Sequence, residues 1–337
     1  MRVFGLGSEV VSMRVVAGAW SNRVFRLATD AGEYAVKQLL DPFRDPRWRD
    51  WLDEAWRFEQ IAYAAGEPMP QPVPNPADGS WLGWVEPAAR TGIRDRSVRV
   101  RSEQLVPVRV HHWVAGRRPA PGPVSESIAR WSGRALASLH GLRVQPSDRT
   151  LFPGQDAVTA DRWPELVELS ERLGASWSTQ LAEASDTVAA MADLARTTVP
   201  RPEEEVMSHS DLDQKNVIIA AVGPVLCDWD VCAPQVPVRE LADVALSMAD
   251  WTRFDIARAV VGSYRAAGGI DVAIEPADLG PQLMAGLDWI AFNVERALGI
   301  RSATAQEVAL GNHLVPGLVA RLPERMSVAI RLPHLLG

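Results

Sequence analysis

Lysine is almost missing from this 337-residue chain. Lys37 and Lys215 are the only two, and the other 33 basic residues are arginines. Lysine is a compact point charge and arginine a wide planar fork, so the places where lysine survives are worth locating. Cysteine is equally scarce: Cys227 and Cys232 are too few for a disulfide framework, and the expected compartment is the cytoplasm. No apolar run reaches the about 18 residues of a membrane-spanning helix. The first residues, MRVFGLGSEVVSMRVV, lack the apolar stretch and small-residue cleavage site of a leader peptide. A basic excess is lacking too. With 35 basic against 42 acidic residues the net charge is −7, which argues against a nucleic-acid surface. Internal repeats and low-complexity tracts are absent. What remains, 47% hydrophobic and 23% charged, is the balance of a globular protein of roughly two domains. Neither a membrane nor a nucleic acid is an expected partner, and the composition leaves the oligomeric state open.

The pattern changes along the chain. VFRLA (24–28), the turn letters TDAGE and YAVKQLL (34–40) predict a β-hairpin, with Gly32 free to take the positive φ of the turn. Residues 47–65 carry apolar side chains at helical spacing and end at Gly66, before the proline-rich EPMPQPVPNP. SWLGWVEP (80–87) and LVPVRVHHWV (105–114) read as strands, and the five arginines between Arg90 and Arg101 as an exposed hairpin. Beyond about residue 115 helices dominate: 125–141, segments within 162–195, and 238–300. They are interrupted at 207–230 by a loop, strand, turn and strand. The tail after 300 carries no clear pattern. The expected fold is α+β, with a small strand-rich part over residues 1–110, a connecting segment 111–116, and a larger, mainly helical part over 117–337.

The interruption is where chemistry concentrates. In MSHSDLDQKNVIIAAVGPVLCDWD (207–230), Asn216 follows Asp211 by five residues, and Asp228 ends the second apolar run. Pairing of NVII with PVLCD brings Asn216 and Asp228 side by side, next to the loop that holds Asp211. Hard oxygen ligands so grouped suit Mg²⁺ bound together with nucleotide phosphates. The H-x-D-x₄-N spacing with a later apolar-apolar-Asp is an arrangement used for phosphoryl transfer. The first hairpin supplies an independent check. Ala35 and Lys37 share one face of their strand, so a small residue can lie under a purine while the lysine reaches the phosphates. A lysine so placed needs a carboxylate: Glu54 on the 47–65 helix is preferred, with Glu59 the alternative. Lys215 either contacts phosphate or is simply exposed. Asp230 can support the metal site indirectly.

These residues resemble the aminoglycoside phosphotransferase and choline kinase-like family, small-molecule kinases with a protein-kinase-like two-lobe fold. GAWSNRVFRLATDAGEYAVK, the 54–76 helix with EPMPQPVP, VHHWVAG, RALASLHGL, SHSDLDQKN and VLCDWD carry the likeness, from about residue 14 to about 300. The resemblance implies Asp211 as catalytic base, Asn216 and Asp228 as Mg²⁺ ligands, Lys37 on the α- and β-phosphates and Glu54 as its partner. It also implies Ser21 in a nucleotide-covering loop and a hinge of His111, His112 and Trp113 against the adenine edge. Ser210 stands where the family has glycine. The implied reaction moves the γ-phosphoryl group of ATP, or of GTP, to a hydroxyl of a small molecule. Residues 240–300 hold nine acids against four arginines, which favours a cationic acceptor such as an aminoglycoside or another basic antibiotic. The alternatives are a metabolic kinase acting on choline, a sugar or an amino alcohol, and a non-catalytic nucleotide-binding protein.

Overall fold

A computed structural model describes residues 1–16, 22–39, 47–86, 105–152, 158–300 and 305–336. The expected nucleotide-covering loop with Ser21, and the arginine-rich stretch 90–101, lie outside the described residues. The chain divides into two compact units, one of residues 1–120, 138–152 and 207–234, the other of 121–137, 153–206 and 235–337. The 207–230 interruption of the helical region thus groups with the N-terminal strands.

The first unit is built on an antiparallel sheet of β1 (Val10–Val16), β2 (Asn22–Thr29), β3 (Gly32–Leu39), β4 (Gly83–Val85) and β5 (Val106–His112), in the order β1-β2-β3-β5-β4. β2 and β3 form the expected hairpin, Thr29 opposite Gly32, and Gly32 takes φ 150°. Strand alternation sorts the side chains onto two faces. Tyr34, Leu27, Val108 and Val110 pack with Phe4 and Leu6 into an apolar cluster on one face. The other face carries Ala35 and Lys37 of β3, with His111 and Arg109 of β5 directly opposite them. Helix α1 (Trp48–Ala64) buries Leu52, Ala55, Phe58 and Ala62. Leu52 joins Leu39, Trp81 and Leu82 in a second apolar cluster. Strand β1 is an edge strand with Val11, Met13 and Val15 exposed. It is not among the strands that the sequence picks out, because VVSMRVV does not alternate.

The same unit contains β6 (Gly116–Arg117), β8 (Val217–Ala220) and β9 (Gly223–Leu226) in the order β6-β8-β9; β7 (Val206–Ser208) pairs separately with β10 (Ala233–Gln235). The β8–β9 hairpin sets Val217 opposite Leu226, as the pairing of NVII with PVLCD requires. A 3-10 turn, Gln214–Asn216, leads into β8, and another, Trp229–Val231, follows β9.

The second unit is helical. It holds α2 (Glu126–Gly141, counted with the first unit from Ser138), α3 (Val158–Asp161), α4 (Trp163–Arg172), α5 (Ser178–Glu183) and α6 (Ser185–Arg196). It continues through α7 (Pro237–Met248), α8 (Phe254–Ala266), α9 (Gly280–Ala297), α10 (Ala305–Ala320) and α11 (Leu322–Leu336). Gly133 lets α2 approach α8 closely: a Cβ there would collide with the Val260 carbonyl and the Ser263 hydroxyl. No described helix is long and apolar enough to cross a membrane.

Candidate active site

Two like charges directly opposite on paired strands repel, and Lys37 faces Arg109 across the β3–β5 ladder. A carboxylate resolves the conflict. Asp230, from the turn after β9, sets Oδ2 at 2.5 Å from Lys37 Nζ, and its Oδ1 accepts from Arg109 Nη1. Arg109 Nη2 donates in turn to Glu59 of α1, whose Oε1 lies 2.7 Å from His111 Nε2. Arg109 is 1% exposed and Glu59 0%. The guanidinium also lies 5.7 Å from the Trp56 ring centre and 5.3 Å from that of Trp81, distances at which an aromatic face attracts a cation. Burial works to raise the Glu59 carboxyl, but Arg109 and His111 outweigh it and hold it below its ordinary range.

Lys37 has a second carboxylate, Asp228 Oδ1. Among the described residues its ion pairs therefore go to Asp228 and Asp230, and not to α1. Glu54, the expected partner, is spent elsewhere. It accepts from Arg57 Nε at 3.2 Å and Nη2 at 3.0 Å, and from the Ser147 amide at 2.9 Å and the Ser147 hydroxyl. It fastens a loop to α1. Glu59, the alternative, is on the correct side of the helix but is intercepted by Arg109. Burial pushes the Asp228 carboxyl up, but Lys37, helped by His209 and Arg109, outweighs it and leaves the carboxyl below its ordinary value.

The loop before β8 is organised around Asp211. Asn216 Nδ2 donates to both the backbone oxygen and Oδ2 of Asp211, each at 2.9 Å, which turns the amide oxygen Oδ1 away from that carboxylate. Asp213 accepts from the Lys215 amide at 2.9 Å and closes the turn. Lys215 Nζ lies 2.8 Å from Asp211 Oδ1. Burial raises the Asp211 carboxyl, and Lys215 offsets only part of the shift. Ser210 takes φ 63°, in the left-handed region that favours glycine, and its hydroxyl donates to the Ala233 carbonyl at 3.2 Å and accepts from the Ala233 amide at 3.1 Å. Side-chain bonds thus hold a backbone shape in which glycine would be unstrained. Asp228 is also left-handed, φ 72°. This conformation at the end of β9 turns successive carboxylates, Asp228 and Asp230, toward the same lysine.

His209 ties the two segments together. Its Nε2 lies 3.0 Å from the Cys227 carbonyl, which can only accept, and its Nδ1 is 3.3 Å from the Asp211 amide, which can only donate. Both bonds together require the neutral imidazole with the proton on Nε2. The ring is fully buried, edge-on to Trp229 at 4.9 Å.

The expected hinge is brought only partly to this face. His111 is there, bonded to Glu59. His112 is on the opposite face, its ring 5.1 Å from that of Tyr34, and its amide donates to the Gln71 carbonyl at 2.8 Å. The Trp113 amide donates to the Glu33 carbonyl at 2.9 Å, and its ring takes the Arg26 guanidinium at 4.9 Å. Both amides are committed within the fold, so neither is free to donate to a purine edge. In the helical unit, Asp250, Asp255, Asp271, Asp278 and Glu295, five of the nine acids of 240–300, are paired with arginines.

Sequence reasoning missed Arg109 altogether and gave His209 no task. The signal for Arg109 was present: it is the one charge within the apolar run LVPVRVHHWV, in register with Lys37. Among the described residues no cluster of three or more His, Cys, Asp or Glu could enclose a metal ion by itself. Mg²⁺ at a nucleotide needs less: one or two protein oxygens, the rest coming from phosphates and water. Asp228 and the amide oxygen of Asn216, the end of that side chain not bonded to Asp211, are oxygen donors of the kind required.

Comparison with known proteins concerns the fold and the family. The spectinomycin phosphotransferase solved with ADP and spectinomycin has a TM-score of 0.65 at 11% identity, with 94% of each chain covered. An amicoumacin kinase solved with AMP-PNP and Ca²⁺ gives 0.62 at 13% identity, over 95% of this chain and 91% of that one. A microcompartment-associated aminopropanol kinase gives 0.63 at 16% identity, over 98% and 96%. At these identities the likeness is one of fold. No curated protein sequence matches the chain. The phosphotransferase enzyme family model, however, matches residues 12–278. It spans the β3 lysine, the Asp211 loop and the carboxylates after β9, and the chain belongs to that family of small-molecule phosphotransferases.

Proposed function

We propose that the protein transfers the γ-phosphoryl group of ATP to a hydroxyl of a small cationic molecule, with Asp211 as the base. The observation that carries this reading is the convergence, within one compact unit, of Lys37 from β3 with Asp228 and Asp230 from beyond β9. Two distant stretches of sequence, each read separately as phosphate-handling, meet there. Asp211 accepts the hydroxyl proton as the acceptor oxygen bonds to the γ-phosphorus. The bond from that phosphorus to the bridging oxygen breaks, and its electron pair leaves with ADP. Asn216 holds the Asp211 carboxylate in place, and His209 fixes the backbone beneath it. Lys37 and Ala35 face the nucleotide, the lysine toward its phosphates and the alanine beneath the base. His111 borders that face, without His112 and Trp113. Asp228 and Asn216 would hold Mg²⁺, which when bound supplies charge neutralisation on the phosphates. Positioning and fixed charge do most of the work in such a reaction.

A cationic acceptor is supported by the net charge of −7, although arginines neutralise much of the acid in 240–300. The structural neighbours named for spectinomycin, amicoumacin and aminopropanol share this fold, so acceptor choice does not follow from the fold. The deciding experiment is nucleotide consumption by the purified protein with ATP or GTP against a panel of basic antibiotics, choline, amino alcohols and neutral sugars. We expect turnover with ATP and a cationic acceptor. Turnover confined to neutral sugars would overturn the cationic assignment, and Mg²⁺–nucleotide binding with no turnover on any acceptor would overturn the transferase reading.

A further inference from the structure

Every lysine of the chain ends on a carboxylate of this one site. Lys37 is taken by Asp228 and Asp230, and Lys215 by Asp211. The first pairing belongs to the reading above; the second is unexplained by it. A structural cation at position 215 would be arginine, as at the 33 other basic positions, and would hold a carboxylate better through its fork. Nor is the lysine needed to orient Asp211, because Asn216 already grips Oδ2 and the backbone oxygen at 2.9 Å.

We propose that Lys215 is a catalytic residue that contacts the transferring phosphoryl group, a role that rests on the phosphotransferase reading of the same site. The argument is one of distance. A base must lie about 2.6–3.2 Å from the hydroxyl it deprotonates, and the attacking oxygen about 3–3.5 Å from the phosphorus. Lys215 Nζ is 2.8 Å from the same carboxylate. The ammonium is thus one contact from Asp211 and the phosphorus two, a span that a swinging lysine head can close to reach a phosphoryl oxygen. Lys215 is half exposed, 50% against 15% for Lys37, so its head can swing from Asp211 Oδ1 to a phosphoryl oxygen. Each Asp211 oxygen has two lone pairs and carries one donor from these side chains, which leaves room for the acceptor hydroxyl. As the bond from acceptor oxygen to phosphorus forms and the bond to the bridging oxygen breaks, the hydroxyl proton goes to Asp211 and the electron pair to ADP. Lys215 stays protonated throughout and balances charge on the group in flight.

The test compares Lys215→Gln and Lys215→Arg with the parent protein in three readouts: kcat, affinity for Mg²⁺–AMP-PNP, and affinity for Mg²⁺–ADP by titration calorimetry. Only the first nucleotide carries a γ-group. We expect Lys215→Gln to lower kcat at least a hundredfold and to weaken AMP-PNP about tenfold to hundredfold, the size of one hydrogen bond to a charged group. ADP affinity should stay within twofold, and Lys215→Arg should restore part of both losses. Equal weakening of the two nucleotides, or an unchanged AMP-PNP affinity, would overturn the contact. A parent protein that binds both nucleotides yet transfers to no acceptor would refute the function, while the AMP-PNP to ADP ratio would still judge Lys215.

Discussion

Arg109→Leu tests the buried charge network most sharply. In the parent protein one guanidinium serves two buried carboxylates, Glu59 and Asp230. The leucine keeps an apolar body between Trp56 and Trp81 but removes the charge. Asp230 retains Lys37 and Glu59 retains His111, so the loss is that of one partner of a buried pair, about 3–5 kcal/mol. Unfolding entropy runs at about 2.1 cal/mol/K per residue. If the first unit, about 160 residues, melts by itself, about 4 kcal/mol lowers its Tm by about 12 °C. If the whole chain melts together, the fall is about 6 °C. Scanning calorimetry separates the two cases. The pH dependence adds a second constraint. A carboxyl held low in the fold contributes stability above its ordinary pKa of about 4.3 and loses it as pH falls through the lower folded value. Without Arg109, burial of Glu59 is less opposed and its carboxyl rises. The variant's deficit should then be full at neutral pH and shrink as pH falls through the carboxylate range. A Tm change below about 2 °C at neutral pH, or a deficit that does not shrink as the carboxylates protonate, would refute the reasoning. Glu59→Leu/Arg109→Leu should recover part of the loss, because a buried pair replaced by apolar residues leaves no orphaned charge.

Asp228→Ala should abolish phosphoryl transfer in a folded protein and remove the Mg²⁺ dependence of nucleotide affinity; Mg²⁺-dependent activity in the variant would contradict the assignment. Lys37→Arg keeps the charge but must fit a fork between Asp228 and Asp230, so activity should fall at least a hundredfold with Tm nearly unchanged, and an active variant would make Lys37 an ordinary strand residue. Asp211→Asn should lower kcat by about 10²–10⁴-fold, roughly 3–5 kcal/mol of barrier, with nucleotide affinity unchanged; a loss confined to KM would move Asp211 to acceptor binding.

The sequence made legible those parts whose local pattern and tertiary environment agree. The β2–β3 hairpin follows from alternation around a turn glycine, α1 from its apolar spacing and Gly66, and the β8–β9 hairpin from two apolar runs around Ala221–Gly223. Where the two disagree, reading fails. In β1 apolar residues sit on both faces and are mostly exposed, so no alternation marks the strand. Helix α10 carries Pro316 within it and apolar residues around much of its circumference, so no stripe marks it. At the site, residue types and spacing picked out Lys37, Asp211, Asn216 and Asp228, but assigned the lysine to one part of the chain and the other three to another; their grouping in one unit and the ownership of each carboxylate needed three dimensions. Arg109 stands opposite Lys37 only in the β3–β5 register, and that register decides that Asp230 rather than Glu54 meets the lysine. The commitment of the His112 and Trp113 amides to Gln71 and Glu33 likewise depends on long-range pairing.

The placement of both lysines gives the folded protein an unusual chemical address. An amine-selective reagent, such as an acyl phosphate or an activated ester, finds ε-amines nowhere but at Lys37 and Lys215. Lys215, half exposed, is the one it meets first, while Lys37 sits behind Asp228 and Asp230. Labelling stoichiometry at those two positions becomes a direct gauge of site occupancy, since a bound nucleotide must shield what the solvent otherwise reaches. Attachment of the protein to a support through its ε-amines would, for the same reason, bury the site against the support, whereas arginine-directed coupling would leave it facing the solution.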